Sequence, residues 1–402
     1  MNSNGSVSII FCCVALVFFS GCSERPNANV SKTPPKRDYD LTESDRASAM
    51  AFGDRLSEAI ADGDREFLSD RLDLMAMVEI GIEGIEFSSR DRRNLMGGFK
   101  SGVKKTLPRI VDQFMAGETK PIRVTAGNGG PRLMLRLVLE EGGFDYIEFD
   151  LEALSEARED WKVVDMHSFV SGRKSQTMRD MVLQMLKSQG SSVLERLTGD
   201  ENEMLEHMPK LRNVRELRAQ GKHQEALDIL KQMPESVQAH KVVLLQMIII
   251  SQMLEDASEV GSTYQKAIKR YEENFPRDPA LDMLLIDSLL VDERYEDCRE
   301  RLRRLDKRVG GDPFLAAYAG YIYLAEGNFA EVLRRGEEFR EIEPDNDEGD
   351  MLILEAVLGL KDFERTAATL KRLEDDFDYV WELVGVEGFE EFLASPHGEP
   401  WR

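Results

Sequence analysis

The sequence predicts an α+β domain, with helices laid on a four-stranded antiparallel meander, followed by an all-α solenoid. Three observations carry the prediction. Apolar residues follow helical spacing up to about residue 118, they alternate with period two between residues 122 and 164, and the second half repeats itself about every 34 residues. The order, helices then strands then a helical array, is that of an α+β unit joined to a repeat region.

The 402 residues carry 75 acidic and 52 basic side chains, a net charge of -23. At roughly 150 residues per domain the chain holds two or three domains, each large enough to bury its own core. The charge argues against nucleic acid as a partner, because phosphate recognition needs a basic footprint. Residues 201–402 hold 44 of the acidic and 26 of the basic side chains, so most of the imbalance lies in the second half.

The chain opens with an uncharged apolar run from Val7 to Gly21. It is too short to cross a hydrocarbon core, which needs about 20 residues. It reads as a signal segment. Its end, Phe19-Ser20-Gly21-Cys22, resembles the lipobox of bacterial lipoproteins over residues 1–22. The resemblance implies that Cys22 receives a diacylglyceryl group and, after cleavage, becomes the N-terminus, so that lipid anchors the protein at a membrane of the cell envelope. Cys12 and Cys13 would leave with the signal, which makes Cys298 the remaining thiol and excludes an intramolecular disulfide. Residues 23–44 are polar and proline-bearing, a composition suited to a flexible tether.

Residues 45–200 form the expected α+β domain. Helices are predicted near 44–62, 64–79, 89–117 and 175–197. Strands are predicted around Ile122 and Val124, Leu133 to Leu139, Ile147 to Leu151, and Trp161 to Val164, with glycine-rich turns at Gly127-Asn128-Gly129-Gly130 and Glu141-Gly142-Gly143. The break Ala61-Asp62-Gly63-Asp64 and the final strand Asp160-Trp161-Lys162-Val163-Val164-Asp165 resemble the nuclear-transport-factor-2-like superfamily. A second resemblance is to the periplasmic phospholipid-shuttle family related to toluene-tolerance proteins. Both imply a pocket between sheet and helices.

In residues 201–376, three columns of residues recur in phase: Val214, Ile248, Ile286, Gly320, Leu354; Ala226, Val260, Cys298, Val332, Thr366; and Leu230, Tyr264, Leu302, Gly336, Leu370. The spacings are 34, 38, 34 and 34, the four extra residues falling near Asn274 to Pro279. In the fourth unit Gly320, Tyr323, Gly327, Phe329 and Pro344 stand where the tetratricopeptide repeat places its packing and turn residues, so the array of about five units is similar to that family. Gly336 reads as a hole in the third column. Residues 377–402, rich in aromatics, read as a cap over the last apolar face.

No catalytic constellation emerges and no enzyme is predicted. His167 with Asp145, Asp150 or Asp165 would be the natural acid/base set, but Asp145 and Asp165 read as solvent-facing. The remaining histidines show no zinc spacing, and Asp345-Asn346-Asp347-Glu348-Gly349-Asp350 fails as a calcium loop because Ala356 stands where the bidentate glutamate belongs. No metal or other cofactor is implied. The basic run Arg299 to Arg308 reads as a solvated helix face paired with acidic neighbours such as Glu337 and Glu338.

The resemblance to tetratricopeptide arrays implies a protein or peptide partner held on the concave face of the solenoid by the first helix of each unit. The positions are Arg215, Arg218, Gln252, Asp287, Tyr321 and Glu355. The alternative is small-molecule or lipid binding in the N-terminal α+β domain, with the solenoid as a docking platform.

Overall fold

The computed structural model describes residues 39–402 apart from positions 86, 116, 140–142, 189–198 and 255–256. The signal segment, Cys22 and the tether up to residue 38 lie outside the described residues. The chain divides into two compact units between Leu281 and Asp282.

In the first unit, α1 (Glu43–Ala61) starts at a capping box in which Thr42 and Asp45 each accept the other's backbone N–H. Gly63, at φ +71°, ends it. The single helix expected over 64–79 is instead two, α2 (Arg65–Arg71) and α3 (Leu74–Gly81). Asp73 caps a new N-terminus at Ala76, while Leu72 bridges Val163 and the Asp73 N–H donates to the Val163 carbonyl at 2.9 Å. The chain is thus pinned to the sheet where a continuous helix would have passed over it. The long helix α4 (Ser89–Phe114) leads into the sheet.

That sheet has five strands, β1 (Gly117–Ala126), β2 (Pro131–Leu139), β3 (Phe144–Ala153), β4 (Trp161–Ser168) and β5 (Gly172–Arg173), each antiparallel to the next. Four were expected. The fifth is a two-residue return after β4 whose reversal uses Gly172 at φ +82°, and two residues are too few to display an alternation. A bulge sets Asp150 opposite Asp165 but Leu151 opposite Val163, leaving Val164 as the extra residue. Beyond it Met166 returns to the core, whereas Asp165 and His167 share a face with Asp150 and Glu148.

On the other face Leu133, Leu135, Leu137, Phe149, Trp161 and Val163 join Phe52, Leu56, Leu68, Met77 and Val182 in one buried core. Each such side chain contributes roughly 1.5–3 kcal/mol by leaving water. The space between sheet and helices is therefore filled by these residues.

The first unit continues through α5 (Lys174–Ser188), α6 (Gly199–Ala219), α7 (His223–Lys231), α8 (Glu235–Gln238), α9 (Lys241–Gln252) and α10 (Ala257–Asn274). The next helix, α11 (Pro279–Val291), contains the division between units. The second unit holds α12 (Tyr295–Val309), α13 (Pro313–Ala325), α14 (Phe329–Ile342), α15 (Glu348–Gly359), α16 (Phe363–Phe377) and α17 (Glu390–Ala394), then a 3₁₀ turn, Pro396–Trp401.

Helices α7, α10, α12, α14 and α16 start at His223, Ala257, Tyr295, Phe329 and Phe363, the same spacing as the sequence columns, with its one longer step between α10 and α12. Two residues before four of these starts the backbone is left-handed, at Gly221, Glu293, Gly327 and Lys361. The small-residue column sits three residues into each of these helices. Its described side chains, Ala226, Cys298, Val332 and Thr366, are all buried. Cys298 donates weakly to the Ile286 carbonyl at 3.6 Å.

Gly336 is not a hole. A β-carbon there would stand 2.9 Å from the Gly349 oxygen and 2.9 Å from Ile353 Cγ1, so α14 and α15 approach through their backbones. After α16 the chain lays Leu383 and Phe392 over Leu354, Leu370 and Leu373, with Trp381, Phe389 and Trp401 around them.

Candidate functional site

Tyr321 stands on α13, a helix started by Asp312, whose carboxylate accepts the Phe314 N–H at 3.1 Å, and by Pro313 at its first position. The residue is half-buried, its ring centroid 6.2 Å from that of Tyr318. Helix α15 supplies what faces it. Glu348 and Glu355, two turns apart, lie on one side of that helix.

Burial raises the Tyr321 phenol well above its ordinary value, and the charges of Glu348, Glu355 and Asp347 add to the rise, Glu348 also accepting its hydrogen bond. Burial alone raises the half-buried Glu355 carboxyl, and no cation pairs with it among the described residues. A carboxylate part-way out of water without a counter-charge is costly to keep ionised.

The same acidic wall continues into the cap. Asp347 accepts from the Tyr379 hydroxyl at 2.6 Å, and Tyr379 stacks on Trp381 with centroids 5.2 Å apart and planes at 12°. Burial, then this bond, raises the Tyr379 phenol. The Trp381 Nε1 is buried and meets no acceptor among the described residues. Val380 and Val384 nearby are exposed to 89% and 72%. Acidic groups beside aromatic rings suit a lysine or arginine side chain, which gains an ion pair and a ring face together.

The expected contact residues therefore have different fates. Tyr321 and Glu355 come together. Arg215, on α6, is half-buried; Arg218 is buried and donates from Nη1 to Gln246 Oε1 at 3.3 Å. Burial, and then the neighbouring Arg215, lowers the Arg218 guanidinium. Arg218 is thus a packing residue and not an exposed contact, because α9 presents Gln246 to it. Gln252 ends α9 and Asp287 lies within α11, and the side chains of both fall outside the described residues.

Comparison with protein-family models, curated proteins and solved structures gives no match.

Sequence spacing missed Asp347, Glu348 and Tyr379. Glu348 had a signal, since Glu355 follows Tyr321 by one repeat step and Glu348 precedes Glu355 by two helical turns. The acidic stretch that contains Asp347 and Glu348 is divided among local duties. Asp350, wholly buried, accepts from Arg340 Nη1 at 3.1 Å and Arg372 Nε at 2.8 Å. No group of three metal-ligating side chains occurs among the described residues.

The Arg299 to Arg308 run is paired as a helix face should be, but with other partners. Arg299 meets Glu296 and Glu326, Arg303 meets Glu296 and Glu300, and Arg301 and Arg304 both meet Asp282. Glu337 and Glu338 instead bind Arg365 and Arg334.

In the α+β unit, Asp145 and Asp165 are buried, at 1% and 2% exposure, and not solvent-facing. The bulge turns Asp165 toward Asp150. Arg173 Nη1 then bridges Asp150 at 2.8 Å and Asp165 at 2.9 Å, Arg132 Nε meets Asp150 at 2.6 Å, and His167 Nδ1 lies 3.3 Å from Glu148. Burial pushes Asp150 and Glu148 up, but Arg132 outweighs it for Asp150, and His167 with Arg132 does so for Glu148, so both carboxyls sit below their ordinary range. Saturated carboxylates held as ions make a structural ladder across β2 to β5 and poor proton acceptors near neutrality. Asp145 differs. Burial pushes it up to about 6 against hydrogen bonds from Ser168 and the Val170 and Tyr146 N–H groups.

Proposed function

We propose that this protein is a membrane-anchored extracytoplasmic interaction module. Lipid on Cys22 would hold it at the membrane, and tetratricopeptide-like helical units would stack into a solenoid whose first helices receive a peptide or protein. The regular helix starts at His223, Ala257, Tyr295, Phe329 and Phe363 support the repeat. No helix among the described residues is long and apolar enough to cross a membrane, and the proposed lipid would serve as the anchor.

The observation that carries the binding role is the half-buried, uncompensated Glu355 beside Tyr321, on the first helices of two consecutive units. It favours a partner segment that offers lysine or arginine. A ligand pocket between sheet and helices has less support, because Leu133, Leu135, Leu137 and Phe149 occupy that space.

The test is affinity capture from solubilised cell envelope with the wild-type chain and with Tyr321→Ala/Glu355→Lys. A partner recovered by the first and lost by the second, with the circular-dichroism spectrum of the folded chain retained, is the expected result. Equal recovery by both would discard this face. Intact mass of the membrane-extracted protein tests the anchor: a mass that includes residues 1–21 would remove it.

A further inference from the structure

A second face of the helical region carries the opposite charge. Helices α7, α9 and α10, all within the first unit, enclose a groove of about 580 Å³. Leu244, Met247 and Ala267 are buried and form its apolar floor. Around the floor stand Lys231 from α7 and Lys266, Lys269 and Arg270 from α10. Residues 266, 269 and 270 are three and four apart and so share one side of their helix.

The three lysines are exposed and form no ion pair or hydrogen bond among the described residues. Lys361 and Lys371, by contrast, are paired with Glu391 and Asp375. Arg270 donates to Gln238 Oε1 at 3.0 Å and pairs with the exposed Glu235 at 3.8 Å. One carboxylate, Glu273, lines the same groove. With Arg270 matched by Glu235, three lysines against Glu273 still leave a local excess of positive charge on a molecule whose net charge is -23.

We infer that this groove is a docking site for an acidic peptide segment of a partner protein, distinct from the Tyr321–Glu355 face and independent of its role. Charge complementarity selects the occupant's sign, since a cationic rim attracts carboxylates and repels a second basic surface. The recessed floor selects its form. An apolar side chain must reach Leu244 and Met247 while carboxylates on either side meet the lysines, which an Asp- and Glu-rich chain carrying a Leu or Phe can do. A bilayer surface meets the exposed rim and leaves the floor empty.

The experiment measures binding of a fluorescein-labelled peptide of repeated Glu-Asp-Leu triplets to the full-length protein by anisotropy. The comparison is with Lys231→Glu/Lys266→Glu/Lys269→Glu, whose three positions are exposed and compatible with an unchanged fold, checked by circular dichroism. A control variant, Lys100→Glu/Lys210→Glu/Lys307→Glu, makes the same change in net charge at exposed sites outside the groove. Expected are salt-sensitive binding by the wild type, a loss of at least about ten-fold in the groove variant, and less than about three-fold in the control. A peptide with Ser in place of Leu should bind several-fold more weakly, which reports on the floor. The inference is overturned by no binding, by equal loss in groove and control variants, by indifference to the Leu-to-Ser change, or by lysine-dependent binding of phosphatidylglycerol vesicles in place of the peptide.

Discussion

Gly336 and Gly349 meet backbone to backbone: the carbonyl oxygen of each stands 2.9–3.0 Å from where a β-carbon on the other would be. The contact brings α14 and α15 together at a distance that no side chain permits. Gly336→Ala should gain roughly 1 kcal/mol of helix propensity and lose more than that to the clash with the Gly349 oxygen and Ile353. The expected net is a loss of about 1–2 kcal/mol in urea unfolding. Gly97→Ala, on α4 with open space around it, should instead gain up to about 1 kcal/mol.

Asp350 is a buried anion between two half-exposed guanidiniums. Asp350 and Arg372 stand as far apart in sequence as Asp282 and Arg304, so one first-helix aspartate and one second-helix arginine recur two units apart. Asp350→Ala removes the buried charge shared by Arg340 and Arg372, leaving Arg372 with Asp376 at 2.9 Å. A loss of about 2–4 kcal/mol is expected in chemical denaturation, with solvent around the arginines holding it below the full cost of breaking a buried pair. Arg372→Ala alone should cost less, because Arg340 remains.

Asp145 makes stability depend on acid in an unusual direction. Its carboxyl is raised to about 6 in the folded chain from 3.8, so the native state binds the extra proton between those values. Stability should therefore fall as pH rises from about 4 to 6, by on the order of 2–3 kcal/mol from this group, and then level off. Comparing denaturant midpoints of the wild type and Asp145→Asn across that range isolates the contribution. The wild type should lose more stability over that range than Asp145→Asn, the difference being the contribution of Asp145.

Glu355 is raised for the same reason, burial, and its ionisation likewise costs stability at neutral pH. Glu355→Gln should give a higher Tm at pH 7, and the difference should vanish as pH falls through the ordinary carboxylate range, where the glutamate is protonated folded or not. A substitution that stabilises the chain while weakening capture of a partner would mark Glu355 as a group kept for binding.

Glu293 holds a left-handed backbone at φ 55° in a turn where Gly221 and Gly327 stand in other units. A β-carbon in that conformation costs roughly 1 kcal/mol. Glu293→Gly should therefore raise stability by up to about 1 kcal/mol in urea unfolding, and Gly327→Ala should lower it by a similar amount.

The repeat step was legible because it is written in volume. Ala226, Cys298, Val332 and Thr366 are of small to moderate size and fully buried at the same point of their helices. The strands of the α+β unit were legible for a related reason, since Leu133, Leu135 and Leu137 alternate with residues of the opposite face. What escaped was set by single-residue geometry. One extra residue at Val164 reverses the facing of Asp165, two residues suffice for β5, and Leu72 and Asp73 leave their helix to join Val163. Alternation and periodicity average over several residues and pass over such events. The site was half legible. Tyr321 and Glu355 follow from the repeat, whereas Tyr379 reaches Asp347 from a cap that obeys no period, and the burial of Arg218 depends on Gln246 of a different helix.

Cys298, sealed beneath its helix with its sulfur turned to the Ile286 carbonyl, gives the molecule an internal clock. Because the sulfur is fully buried, a thiol reagent reaches it only when the packing around α12 opens, so the reaction rate counts how often that happens. Slowing of that rate when a partner binds would register the engagement of the helical region without any added label.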